Sequence, residues 1–201
     1  MSYKTQGEVY RNIIEPNLQS FIRVEFTKQE LLPIIELTKK VAEEKLKEKN
    51  YKIDGFGLHK RFMSGFISEL AIERLLGINI IDYEQVENKT HSKYFNTPDL
   101  QNAGFNVGIK SAEYGKVPLI PTHNTYSQII CIRDTPKSVL VCGIATPEVL
   151  NDFQTEDLIL APSLKRINED KRRQGNIKNI KTGFYGFNHL LNINTIQSLV
   201  A

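Results

Sequence analysis

The chain has 201 residues, enough for one domain with a real core, and its 40% hydrophobic and 24% charged content is that of an ordinary globular protein. No apolar run approaches the roughly 18 residues a membrane crossing needs, and the opening "MSYKTQGEVY" lacks the apolar centre of a signal peptide, so the expectation is a cytoplasmic protein. A net charge of +3 permits a polyanionic partner without demanding one.

The expected organisation is a single domain over residues 1–201. It has an N-terminal helical segment at about 27–50, a core at about 58–145 and a basic C-terminal segment at 147–201. Thr27 to Glu30, "TKQE", has the form of a capping box and predicts a helix running to about Lys49, with Pro33 near its first turns. "YKIDGFG" breaks the chain, and a second helix is predicted from Leu58 to Leu76 with Gly77 as its C-cap. The β-branched "INIIDY", Ile78–Tyr83, predicts a strand, and "EQVENKTHSKYFN" a polar connection. Further strands are predicted near Asp99, over Phe105–Ala112, over Gln128–Arg133 and over Val139–Ala145, the last two joined as a hairpin by "DTPK". Helices first and strands after predict an α/β fold, a central mixed sheet flanked by helices. Cys131 and Cys142 lie in apolar runs without histidine spacing, so they are expected in the core and not on zinc. "KTGFYGFNHL", Lys181–Leu190, is expected to pack a C-terminal tail on the core in preference to offering a stacking platform for bases.

The stretch "TPDLQNAGFNVGIKSAEYG", Thr97–Gly115, nearly spells two functional motifs. As a phosphate-binding loop it fails: Ile109 separates Gly108 from Lys110, the glycines are one residue too close, and no helix begins at Ser111. The other pattern is Pro-Asp, a short turn, then acid-x-Lys on a following strand. Carboxylates hold a hard cation through oxygen, the cation polarises a phosphate and helps deprotonate a water, and the lysine stabilises developing charge. Here Asp99 and Lys110 stand in those places, on strands expected to be neighbours, while the position two before the lysine is Gly108. Glu113 is one replacement for the missing acid. On the second helix, Glu69 and Glu73 fall within roughly 60° of Phe66, on its apolar stripe, at ~100° per residue. Either those carboxylates are satisfied by a charge or metal, or their heads reach water from the edge of the stripe.

Taken together, "HKRFMSGFISELAIERLLGI", "TPDLQNAGFNVGIKS" and "SQIICIRD…VLVCGIAT" resemble the PD-(D/E)XK, restriction-endonuclease-like superfamily over about Leu58–Ala145. The resemblance implies a restriction-endonuclease-like sheet and a nuclease using Mg²⁺ (or Mn²⁺). It gives Glu69 as the helix glutamate, Asp99 as the metal-binding aspartate and Lys110 as the catalytic lysine; Glu113, the replacement acid offered above, is expected to complete the metal shell. DNA is the implied substrate ahead of RNA; a homodimer is left open and no membrane is implied. Gly108 departs from the pattern, as does the short Ser111–Tyr126 stretch, which leaves little room for a second core helix. The alternative is a catalytically inactive module of the same fold that binds nucleic acid or a protein. Between Lys165 and Lys181 seven basic residues face two acidic ones. Lys171, Arg172 and Arg173 there, with Lys60, Arg61, Lys116 and Gln128, are the expected nucleic-acid contacts.

Overall fold

The computed structural model describes residues 5–47, 55–81 and 98–199. It is an α/β fold with a mixed four-stranded sheet flanked by helices. In chain order the elements are α1 (Gln6–Val9), β1 (Ile22–Glu25), α2 (Lys28–Lys47), α3 (Gly55–Leu76), β2 (Val107–Glu113), β3 (Leu119–Pro121), β4 (Ser127–Thr135), β5 (Ser138–Ala145), α4 (Pro147–Asp152), β6 (Gln154–Thr155), α5 (Pro162–Arg173) and β7 (Lys181–Phe184). The main sheet runs β1-β5-β4-β2, antiparallel except for the parallel pair of β4 and β2; a small second sheet runs β3-β7-β6.

The capping box forms as expected. The Thr27 amide donates to Glu30 Oε2 at 2.7 Å and the Glu30 amide donates back to Thr27 Oγ1, which satisfies two of the orphan donors at the start of α2. Gly77 ends α3 at φ 65°, a left-handed turn that costs a residue with a Cβ far more. The hairpin of β4 and β5 also stands, pairing Thr135 with Ser138. The strand expected at Ile78–Tyr83 does not form over its described part, Ile78–Ile81. Glu73 explains this: its Oε1 accepts the amides of Ile80 at 2.6 Å and Ile81 at 2.8 Å, so those donors are taken locally and none is left for a ladder. The expected connection Glu84–Asn96 and the end of that strand lie outside the described residues.

The main sheet separates two apolar layers. Val107, Ile109, Ile129, Cys131, Val139 and Val141 face α2 and α3, where Ile34, Leu37, Phe66, Ile67 and Ile72 are buried. Ile130, Ile132, Leu140 and Cys142 face the second sheet, with Ile120, Leu158 and Phe184. Strand alternation thus sends the two cysteines to opposite layers, both free and buried, as expected of core residues. The chain between the parallel strands β2 and β4 contains no helix. It crosses through β3, which pairs with β7 instead, so the short Ser111–Tyr126 stretch builds the second layer from strand. "KTGFYGFNHL" packs inward, with Phe184 and Phe187 buried.

Asn168 ties the basic C-terminal helix α5 to β7. Asn168, fully buried, donates from Nδ2 to the Lys181 carbonyl at 2.7 Å and accepts the Lys181 amide on Oδ1 at 2.9 Å. Asn168→Ala strands both backbone groups, so a loss of about 1–3 kcal/mol is expected, read as a lower urea midpoint with unchanged slope.

Candidate functional site

Among the described residues β2 is the edge strand of the main sheet, so the outward amides along it need partners from elsewhere. The Asp99 segment supplies one. Asp99 is not on a strand, contrary to the sequence expectation; it sits in a turn followed by a short 3-10 turn, Gln101–Ala103, closed by Gly104 at φ 87°. The turn folds back on β2: the Leu100 amide donates to the Val107 carbonyl at 2.9 Å, and the Ile109 amide donates to Asp99 Oδ2. Asp99 is therefore fixed beside the strand that carries Lys110, although by a capped turn and not by a hairpin. Burial pushes the Asp99 carboxyl up, against the opposing pull of the Ile109 amide and the Lys110 ammonium.

Lys110 shares a face with Gly108, opposite to Ile109, because successive strand residues alternate. Its register partner is Ile130, which looks to the second sheet. Across that layer stands Lys181, at the start of β7. Its ammonium is brought down to about 8, first by burial and then by the charges of Lys110, Lys171 and Arg61. Three cations, from β2, α5 and α3, thus lie within electrostatic reach of Lys181 on β7. Lys110, Lys181, Lys171 and Arg61 have no ion-pair partner among the described residues, and Lys171 spends one donor on the Asn179 carbonyl at 2.5 Å. Lys181 itself was not singled out by the sequence. Its signal is that it ends the basic run and opens a strand, which turns a solvent-facing segment into a packed one.

The other expected residues divide. Glu69 is 7% exposed on α3, the helix that packs over β2, β4 and β5, so it is a buried acid on the layer that faces the sheet. Glu113 does not join Asp99. It lies four residues beyond Ile109, about 13 Å along an extended strand, and is paired with Lys116 at 2.5 Å. That bond, then Lys116, Lys60 and Arg133 as neighbouring charges, holds its carboxyl below the usual range against partial burial. Among the described residues no three His, Cys, Asp or Glu side chains form a group able to hold a metal. Arg172 is paired with Glu156, so it and Lys116 are internally engaged; Lys60, Arg61 and Arg173 are exposed. Gln128, expected to touch nucleic acid, is 2% exposed.

Gln128 instead closes over Gly108, its register partner on β4. A Cβ at Gly108 would stand 2.5 Å from Gln128 Oε1, 3.0 Å from its Nε2 and 3.0 Å from Tyr126 Cε2. Oε1 is buried and has no hydrogen-bond partner among the described residues. Glu69, buried on α3, and Asp99, half-buried beside β2, are carboxylates of the kind Mg²⁺ takes, whereas the Gln128 carboxamide lies on the face of the sheet that looks to the second sheet. Mg²⁺ binds through one or two carboxylates plus substrate phosphates and retains water, so a cage of three acids is not required.

The chain matches no family model, no curated protein and no solved structure.

Proposed function

We propose that this protein is a divalent-metal-dependent nuclease that hydrolyses phosphodiester bonds in DNA at the Asp99–Lys110 edge of its sheet. The observation that carries the reading is that Lys110 lies within electrostatic reach both of a half-buried acid, Asp99, and of Lys181, which Lys171 and Arg61 also approach. A cluster of like charges repels itself and is worth holding together only for an anion of higher charge. Phosphate is such an anion, and a polynucleotide offers it in series. Asp99 and Glu69 would hold Mg²⁺ or Mn²⁺. When bound, the ion would polarise the scissile phosphate and lower the pKa of a water. Lys110 stabilises the charge that develops on the phosphate. Lys181, Lys171 and Arg61 anchor neighbouring phosphates and orient the strand for in-line attack.

A second reading keeps the binding and drops the cleavage. It is favoured by Gly108, where the motif's second acid is missing and Gln128 fills the space. One assay separates the two: a mixed set of duplex DNA, single-stranded DNA and RNA with Mg²⁺ or Mn²⁺, a chelator control, and the Asp99→Asn and Lys110→Ala variants. Chelator-sensitive cleavage lost in both variants supports the nuclease. Salt-dependent binding without cleavage, indifferent to metal, supports the module.

A further inference from the structure

An exposed aromatic ring lies on the strand that carries Lys110. Tyr114 directly follows the last residue of β2 and is 60% exposed. A single exposed tyrosine is ordinary on any surface, but three observations set this one apart. It shares a face with Lys110: alternation sends Lys110, Ala112 and Tyr114 to the side of β2 that looks to the second sheet. The ring agrees, since it leans on Tyr10 of that layer with ring centroids 4.6 Å apart. Four residues of extended strand separate it from Lys110, about 13 Å. The residue is also held at both ends. Its amide donates to the Arg133 carbonyl at 2.9 Å, which carries the pairing of β2 and β4 one rung further, and Tyr10, 4% exposed, backs its ring. The chain then turns away at once, where the Lys116 amide donates to the Glu113 carbonyl at 3.0 Å. Tyr114 therefore rests against protein on one side and offers the rest of its ring to solvent.

We propose that Tyr114 stacks an unpaired base of the strand whose phosphate meets Lys110, so that the DNA taken by this face is single-stranded. This rests on the reading of Lys110 as a phosphate contact and adds the substrate class to it. Cations that follow the backbone and rings that take the base faces are the two parts of single-strand recognition, and neither needs a particular sequence. A continuous duplex cannot use the ring, because each base there is already stacked between its neighbours. The separation suits one short strand: about 13 Å is roughly four steps of a stacked strand at ~3.4 Å each. A ring already fixed by Tyr10 and by the sheet loses little freedom when a base settles on it, so the contact is pre-organised.

The chain contains no tryptophan, so Tyr114→Trp keeps a stacking ring and makes it the one indole reporter in the molecule. The full chain is titrated, with a chelator present to keep the strands intact, with a short thymine oligonucleotide, an abasic strand of the same length and a duplex. Fluorescence anisotropy of the labelled strands gives affinity and indole emission gives stacking. The thymine strand should quench the Tyr114→Trp emission, while the abasic strand and the duplex bind through their phosphates and leave it unchanged. Tyr114→Phe should bind the thymine strand as wild type does. Tyr114→Leu, which still covers Tyr10, should bind it about tenfold or more weakly, the scale of one lost stacked base, with duplex affinity unchanged. If Tyr114→Leu does not fold by circular dichroism, the quenching decides. Salt-dependent binding of the thymine strand without quenching, or at wild-type affinity in Tyr114→Leu, would overturn this inference and leave the phosphate-binding reading of Lys110 standing. A wild type that binds none of the three would overturn both.

Discussion

Asp99→Asn is expected to abolish metal-dependent cleavage and, at neutral pH, to leave a slightly more stable protein. The two effects have one cause. The side-chain amide keeps an oxygen for the Ile109 amide, so the turn remains fastened to β2, but the negative charge is gone. That charge is unfavourable where it stands, since burial pushes the Asp99 carboxyl up despite the Ile109 amide and Lys110. A carboxyl raised in the folded state binds its proton more tightly there than in the unfolded chain. Its stabilising contribution is complete below the ordinary carboxylate range and is lost as pH rises through the folded value. Removing the charge should therefore gain about 0.5–2 kcal/mol at neutral pH, the usual yield where a site trades stability for function. In Tm that is roughly 2–4 °C for each kcal/mol at this chain length. The gain should shrink as pH falls toward the ordinary aspartate range. Lys110→Ala should lower kcat by about 10²–10³, the scale of one lost transition-state partner, with little change in Tm. Thermal melts across pH beside single-turnover cleavage check both. An Asp99→Asn variant that still cleaves, or one less stable than wild type at pH 7, would show that this acid serves the fold alone.

Much of this architecture was legible because local chemistry and tertiary context agree. "TKQE" reads as a capping box and is one; the apolar runs around Cys131 and Cys142 read as a hairpin and are one. The failures share a physical cause: a local hydrogen bond displaced the pattern. Ile78–Ile81 has strand composition, yet Glu73 seven and eight residues back takes its amides. Asp99 was expected on a strand, yet it caps one. Strands β1, β3, β6 and β7 are two to four residues long, too short for period-2 alternation to mark them. Of the candidate site, the neighbouring positions of Asp99 and Lys110 were legible from spacing, and the burial of Glu69 from its place on the apolar stripe of α3. Glu113 was read into the shell as a replacement for the acid missing at Gly108, yet it stands at the far end of β2, paired with Lys116. Lys181 and the inward turn of Gln128 depend on which strands of different sheets face one another, and no window of sequence contains that.

Lys181 gives the other large prediction, in which affinity and stability respond to pH with opposite signs. Its ammonium is lowered to about 8 by burial and by Lys110, Lys171 and Arg61, while in the unfolded chain it titrates near the ordinary lysine value. Between those limits the folded protein holds fewer protons than the unfolded one, so stability should rise with pH above about 8. Nucleic-acid affinity should fall over the same interval, because the cation that meets a phosphate is being discharged. Binding to a phosphate restores the proton, so association near pH 8.5 should take up protons from the buffer, which calorimetry in buffers of different ionisation enthalpy reads directly. Lys181→Arg stays charged at every working pH and should flatten the dependence. Lys181→Met should weaken DNA binding about tenfold at pH 7, the scale of one charge-assisted contact, and reduce the slope of log affinity against log salt by about 1. An affinity that ignores pH between 7 and 9, with a salt slope unchanged in Lys181→Met, would place the nucleic acid elsewhere on the surface. The cations gathered around Lys181 would then have to be explained by packing, which their repulsion of the Lys181 ammonium argues against.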